Sequence, residues 1–291
     1  MRYSLLNRFQ GCVIGAELGK AYTSIRFQQV AGWSQAQLLG IKSLVGKGQF
    51  DLDDWNRLLS SEFIDLGSIN DPSRGELLGL SLPIALFYHE NEIKLQKNLL
   101  SIAEIWLDDV ELRDGLLVLG YTIAQSLQEK LSSRTLIPQV IAFMNSDGST
   151  AQKLLQVKTL LEQGSGLETV NQLFSQDTQL SSAVALAMYY FLSTLEDFRL
   201  SILRAARTSI HPVTPTIVGA LAGAYNSTVG IPASMRVVLS RHTALETQKT
   251  DLVQMLESVN NLLATWSGMY DQTPANVLGS VTAIAAPNVI R

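Results

Sequence analysis

Three observations predict an all-α fold for this chain. Apolar residues recur at helical spacing, as in Leu99, Ile102, Ala103 and Trp106, or Leu252, Met255, Leu256, Val259, Leu262 and Leu263; such runs lay one stripe along a 3.6-residue helix. Period-2 alternation, the mark of a half-buried strand, is nearly missing. Short segments rich in Gly, Asn, Asp and Pro punctuate the helical stretches at 46–48, 70–73, 145–148 and 164–166, where fixed or positive φ turns the chain. No Pro-, Gly- or Ser-rich linker divides the sequence and no repeat period emerges. One compact multi-helix domain over 1–270 is therefore expected rather than a solenoid.

Taken in order, a first helix is predicted over 8–20. Gly11, Gly15 and Gly19 stand four apart there, which puts a smooth stripe on one helix face. Helices follow over 34–45 and 52–61. Asp51, Asp53 and Asp54 suit the start of the latter, where carboxylates accept from orphan N–H groups and meet the positive dipole end; a displaced metal cluster is the competing reading. Helices over 74–89 and 92–105 precede one over 109–130, opened by Asp108, Asp109, Glu111 and Asp114, with Asp109 and Arg113 at i, i+4 spacing. A helix over 134–144 comes next. The helix over 150–163 is expected to use Ser149 or Thr150 as its cap and to carry a looser stripe of Leu155, Val157, Leu160 and Leu161. After 167–174, the helix over 179–192 contains the longest apolar run, Ala183 to Leu192. That run is about half the ~18 residues of a membrane span, so it reads as a buried helix. The helix over 195–208 carries Arg204 and Arg207, which either hold a phosphate or favourably end the helix. Helices over 215–226 and 243–265 complete the body. Residues 271–291, poor in charge, are expected to form an extended apolar strap on the body or on a partner.

The chain has 291 residues, 46% of them apolar and only 16% charged, with a net charge of −4. A large core is predicted, with a surface low in charge or covered by a partner: another protein or a second copy of the chain. No basic stripe is present, which argues against nucleic acid. Cys12 is the only cysteine, so an internal disulfide is impossible and a reducing compartment is expected. Set among apolar residues with no His nearby in sequence, its thiol reads as buried and inert rather than nucleophilic. Residues 1–8 lack the apolar run of a signal peptide, and the expectation is a soluble, cytoplasmic protein with no membrane span.

Several ordered segments carry a resemblance. Arg8-Phe9-Gln10-Gly11-Cys12-Val13-Ile14-Gly15-Ala16-Glu17-Leu18-Gly19-Lys20-Ala21 is similar to an opening helix of the form R-x-x-G-x-x-x-G-x-x-x-G-D-A, with Lys20 at the Asp position. Gly32-Trp33-Ser34-Gln35-Ala36-Gln37 is similar to W-T-D-D-T. Leu82-Pro83-Ile84-Ala85-Leu86 matches an L-P-L-A-L-type helix. Ser182 to Leu192, Asp197-Phe198 and Ala205-Ala206-Arg207 resemble the helix pair that leads into G-D-T-D-T-I-A-A-I-A-G-A-L-A-G-A; Ser209 to Val213 take its G-D-T-D-T positions, and Gly219-Ala220-Leu221-Ala222-Gly223-Ala224 and Tyr225 continue it. Together these resemble the ADP-ribosylglycohydrolase family, whose archetype is the dinitrogenase reductase-activating glycohydrolase. The resemblance implies an all-α fold and, in active members, hydrolysis of ADP-ribose from protein side chains with two bound Mg²⁺ or Mn²⁺ ions.

The implied metal ligands are missing. Gln35 and Ala36 replace both carboxylates of the first motif, and Ile210 and Pro212 replace those of the second. Ser34, Gln35, Ala36, Gln37, Ile210, Pro212 and Val213 are thus vestigial metal-site positions. Mg²⁺ requires several oxygen ligands, mostly charged, so no metal, cofactor or catalytic residue is expected. The candidate ligand-binding residues are Trp33, which could stack on a base or pack in the core, Ser34, which keeps a hydroxyl, and His211, either a phosphate or adenine contact or a solvated or hydrogen-bonded loop residue. A catalytically inactive binding or scaffold protein is the expected function. The alternatives are an active hydrolase with rearranged ligands and a module that binds ADP-ribose or another nucleotide without turnover.

Overall fold

The computed structural model describes residues 3–24, 32–62, 72–105, 109–174, 177–208, 211–245 and 252–269. Its elements, in order, are α1 (Leu5–Ser24), α2 (Gly32–Lys47), α3 (Leu52–Glu62), a 3₁₀ helix (Pro72–Leu80), α4 (Ser81–Tyr88), α5 (Glu92–Ala103), α6 (Val110–Leu127), α7 (Leu136–Met144), α8 (Ser149–Glu162), α9 (Leu167–Phe174), α10 (Leu180–Ser193), α11 (Phe198–Thr208), α12 (Thr214–Asn226), a 3₁₀ turn (Thr228–Gly230), α13 (Ala233–Leu245) and α14 (Leu252–Trp266). The described residues contain no strand, as the lack of alternation predicts.

Four helices form the centre. α1, α6, α10 and α12 bury side chains all round: α10 is buried without a break from Leu180 to Leu192, and α12 from Thr214 to Ala224. The outer helices bury one stripe each, such as Leu95, Leu99 and Ile102 of α5 or Met255, Val259 and Leu262 of α14. Burying each such side chain stabilises by about 1.5–3 kcal/mol, which is what holds short helices that would fray alone.

α1 and α12 share the most extensive contact in the molecule. Gly15 and Gly219 face each other, as do Gly11 and Gly223, and a Cβ on any of the four would fall inside the opposing backbone carbonyl. Only glycine permits that approach. The four-residue glycine spacing thus becomes a backbone-to-backbone crossing, with Gly19 seated against Pro215 and Thr216.

Several sequence expectations need correction. The predicted helix over 74–89 is two pieces, because Pro83 has no N–H to offer the carbonyl of Gly79 and an α-ladder cannot run through that step. The predicted helix over 243–265 covers α14 and the last residues of α13; α13 begins after Pro232, ahead of the predicted start, and Met235 and Leu239 are the large buried side chains among its described ones, a thin stripe to read from sequence. On α8 the buried stripe is Ala151, Leu154, Val157 and Leu160, whereas Leu155 is exposed. Its N-cap is Gly148, without a side-chain hydrogen bond; the Ser149 hydroxyl instead meets that of Ser181. Acids do start α3 and α6: Asp51 accepts from the Asp54 N–H at 3.0 Å and Asp109 from the Leu112 N–H at 2.9 Å. Arg113, however, forks onto the adjacent Asp114 at 2.8 and 3.1 Å. Trp106, Asp108, Ser209, Ile210 and the expected strap over 271–291 lie outside the described residues.

Candidate functional site

The glycine crossing fixes what the C-terminal half of α1 meets. Residues 17, 20 and 23 lie one turn apart on its flank. From there Glu17 accepts a 2.6 Å hydrogen bond from the Ser34 hydroxyl, and the Lys20 ammonium lies 3.4 Å from that same hydroxyl. One turn further on, the Thr23 hydroxyl hydrogen-bonds the Pro212 carbonyl at 3.1 Å. The 3₁₀ helix closes the same region from another side, with Gly79 against the Trp33 carbonyl and Gly75 against the Val213 side chain. The start of α2 and the loop before α12, far apart in sequence, thus share one neighbourhood at the end of α1.

Ser34, Ala36 and Gln37 are buried in this neighbourhood, Gln35 is half-buried, Val213 is buried and Pro212 is exposed. Both amide atoms of Gln37 are buried without a hydrogen-bond partner among the described residues, as is the Thr216 hydroxyl. Trp33 is fully buried with its ring against Gly79; it packs in the core and shows no open face for stacking on a base. His211 is 6% exposed, so a solvated loop residue is not what the fold provides. Burial drives its pKa below the ordinary histidine range, against the opposing pull of the Asp177 carboxylate and backbone carbonyl. Asp177 in turn pairs with Lys153 at 2.7 Å. His211 therefore serves the α8–α10 side, while Pro212 beside it serves α1.

Glu17 and Lys20 are the residues that sequence reasoning left out of the site. Both are buried, at 8% and 4% exposure. A charged pair one turn apart on a helix otherwise buried and glycine-striped is the signal that could have found them, since isolated buried charges are costly and need partners.

This set of groups fits poorly with the paired divalent cations that the resemblance implies. The Ser34 hydroxyl donates to Glu17 and stands beside an ammonium. Val213 offers hydrocarbon. Glu17 is one carboxylate, where two divalent cations need several anionic oxygens. Among the described residues no cluster of three or more His, Cys, Asp or Glu has metal-binding proximity.

Cys12 lies fully buried in α1, where burial pushes its thiol far above the usual range. No described helix is long and apolar enough to cross a membrane.

A sequence profile of the ADP-ribosylglycohydrolase family matches residues 67–266. A solved structure described as an ADP-ribosylglycohydrolase-related protein complex superposes with a TM-score of 0.60 at 17% identity, over 90% of this chain and 98% of the other. No curated protein sequence matches. The profile spans well over half of the chain and the fold agrees with it, so the chain belongs to the ADP-ribosylglycohydrolase family.

Proposed function

We propose that this protein is a catalytically inactive member of the family that acts by binding, as a scaffold or partner for another protein. The observation that carries the reading is Lys20: a buried ammonium beside Ser34, at the end of α1, supplies positive charge where an active member would need carboxylates to gather cations. Without metal ions there is no activated water, because lowering the pKa of a water to near neutrality is the metal's contribution. The low charge content of the chain, 16%, supports a covered face. The test is a de-ADP-ribosylation assay on an ADP-ribosylated protein, with Mn²⁺ and with a chelator. The expected result is no turnover above the protein-free rate in either; chelator-sensitive release of ADP-ribose overturns the reading.

A second reading, binding of an ADP-ribose-like ligand without turnover, is favoured by the unsatisfied amide of Gln37 and hydroxyl of Thr216. Buried polar groups are nearly always partnered, and a ligand or water reaching this junction would satisfy them. A rise in unfolding temperature with ADP-ribose, lost in Gln37→Leu, supports this reading; no rise at millimolar ligand leaves the scaffold reading alone.

A further inference from the structure

A cavity of about 790 Å³ opens away from the α1–α2–α12 junction. It is bounded by the segment leading into α7, the end of α8 with the 164–166 turn, the end of α10, and Arg204 on α11. The two ends of α10 serve different places. Near its start, the Ala183 carbonyl accepts from the Thr214 hydroxyl of α12 at 3.3 Å. Tyr189, Leu192 and Ser193 at its other end line the cavity; from 183 to 192 the helix rises by about 13 Å.

The lining is of two kinds. Ile137, Leu160 and Leu192 give it a buried apolar wall. Arg134, Lys158 and Arg204 give three cations against the single carboxylate of Glu162, and that carboxylate is already 3.4 Å from Lys158. Helix dipoles do not decide the sign, because α7 and α9 begin at the cavity while α8 and α10 finish there; the formal charges do. Tyr189 donates to the Ser165 carbonyl at 2.6 Å and fixes the 164–166 turn as a wall. Volume, apolar body and a few convergent charges are the features of a small-molecule site.

We propose that this cavity binds a phosphorylated small molecule, its phosphate held by Arg134 and Arg204 and its apolar or ring-bearing body laid against Ile137, Leu160 and Leu192. Guanidinium groups suit phosphate because their planar fork donates two parallel hydrogen bonds. The site is independent of the junction described above, so it stands or falls separately from the proposed loss of catalysis.

The experiment is calorimetric titration of the full chain with AMP, ribose 5-phosphate and inorganic pyrophosphate, with adenosine as the phosphate-free comparison. At least one of the three phosphorylated probes is expected to bind at sub-millimolar concentration and more weakly as KCl rises, with adenosine at least about tenfold weaker than AMP. Arg204→Gln and Arg134→Gln are each expected to weaken the bound probe by about tenfold, while Lys42→Gln, which removes an exposed cation of α2 outside the lining, binds as the unaltered protein does. The proposal is overturned if none of the phosphorylated probes binds at millimolar concentration, if adenosine equals AMP, if the double Arg variant binds unchanged, or if Lys42→Gln weakens binding as much as the Arg variants do. Should the Arg variants not fold, the salt dependence and the adenosine comparison on the unaltered protein decide it.

Discussion

Lys20 sits 4% exposed beside Ser34, and an ammonium so deeply buried is held by its partners or not at all. Lys20→Ala leaves Glu17 and Ser34 buried without that cation and is expected to cost about 3 kcal/mol. Glu17→Gln combined with Lys20→Met, which removes both charges and keeps the volume, is expected to recover most of that loss in urea denaturation. A cost below about 1 kcal/mol for Lys20→Ala would mean that the ammonium reaches water. Cys12 gives a second residue-scale prediction. Its buried thiol reacts with a thiol reagent only after unfolding, so labelling follows the global unfolding rate rather than reagent access. The third concerns His89 and His211, both lowered by burial from 6.5. The native rings stay neutral where unfolded rings take up a proton, so the unfolded state binds more protons and stability rises with pH in that window. Stability is therefore expected to fall as pH drops from about 6.5 toward the depressed native values, and His211→Asn is expected to flatten the slope. A variant with the same urea midpoint shift between about pH 7.5 and pH 5.5 would assign the loss elsewhere, first to His89; Asp54 and Asp177, which are held low, weaken the fold only below about pH 5.

At the scale of elements, the α1–α12 crossing is the joint on which the site depends. Gly15→Ala or Gly219→Ala drives a methyl into the opposing backbone; neither helix can yield, because both are packed all round. More than about 3 kcal/mol is expected to be lost, or the chain does not fold. Gly46, which has nothing within 4 Å of an added Cβ, is the control and is expected to tolerate Ala. The two small-residue faces were legible in the sequence as glycines at 11, 15 and 19 and a small-residue run at 219–224, but their pairing into one crossing is a tertiary fact that only the fold shows. Other features were not legible. Pro83 splits a predicted helix through a missing donor, which hydrophobic spacing does not register. Among its described side chains, α13 has Met235 and Leu239 as large buried anchors. The Glu17–Ser34–Lys20 cluster depends on how α2 is laid against α1, a tertiary fact with no periodic signature. The cavity near Arg204 draws on residues from 133 to 204, and only the ambiguity of Arg204 between phosphate ligand and helix end pointed there.

For the whole molecule, family membership and the proposed loss of activity rest on different residues. The packing features of the ADP-ribosylglycohydrolase fold, its glycine stripes, proline-bearing helix and small-residue helix, persist along the chain, and they made the fold readable from residues 8 to 226. The polar groups described at the α1–α2–α12 junction follow a different logic: the Ser34 hydroxyl donates to the Glu17 carboxylate at 2.6 Å and lies 3.4 Å from the Lys20 ammonium. Under the proposed function the fold outlasts the reaction, because packing and catalysis draw on different residues. Electron paramagnetic resonance of Mn²⁺ titrated into the full chain tests this most directly. The six-line spectrum of the free ion is expected to keep its full intensity at stoichiometric protein; loss of signal saturating at two equivalents would show a paired metal site and contradict the account.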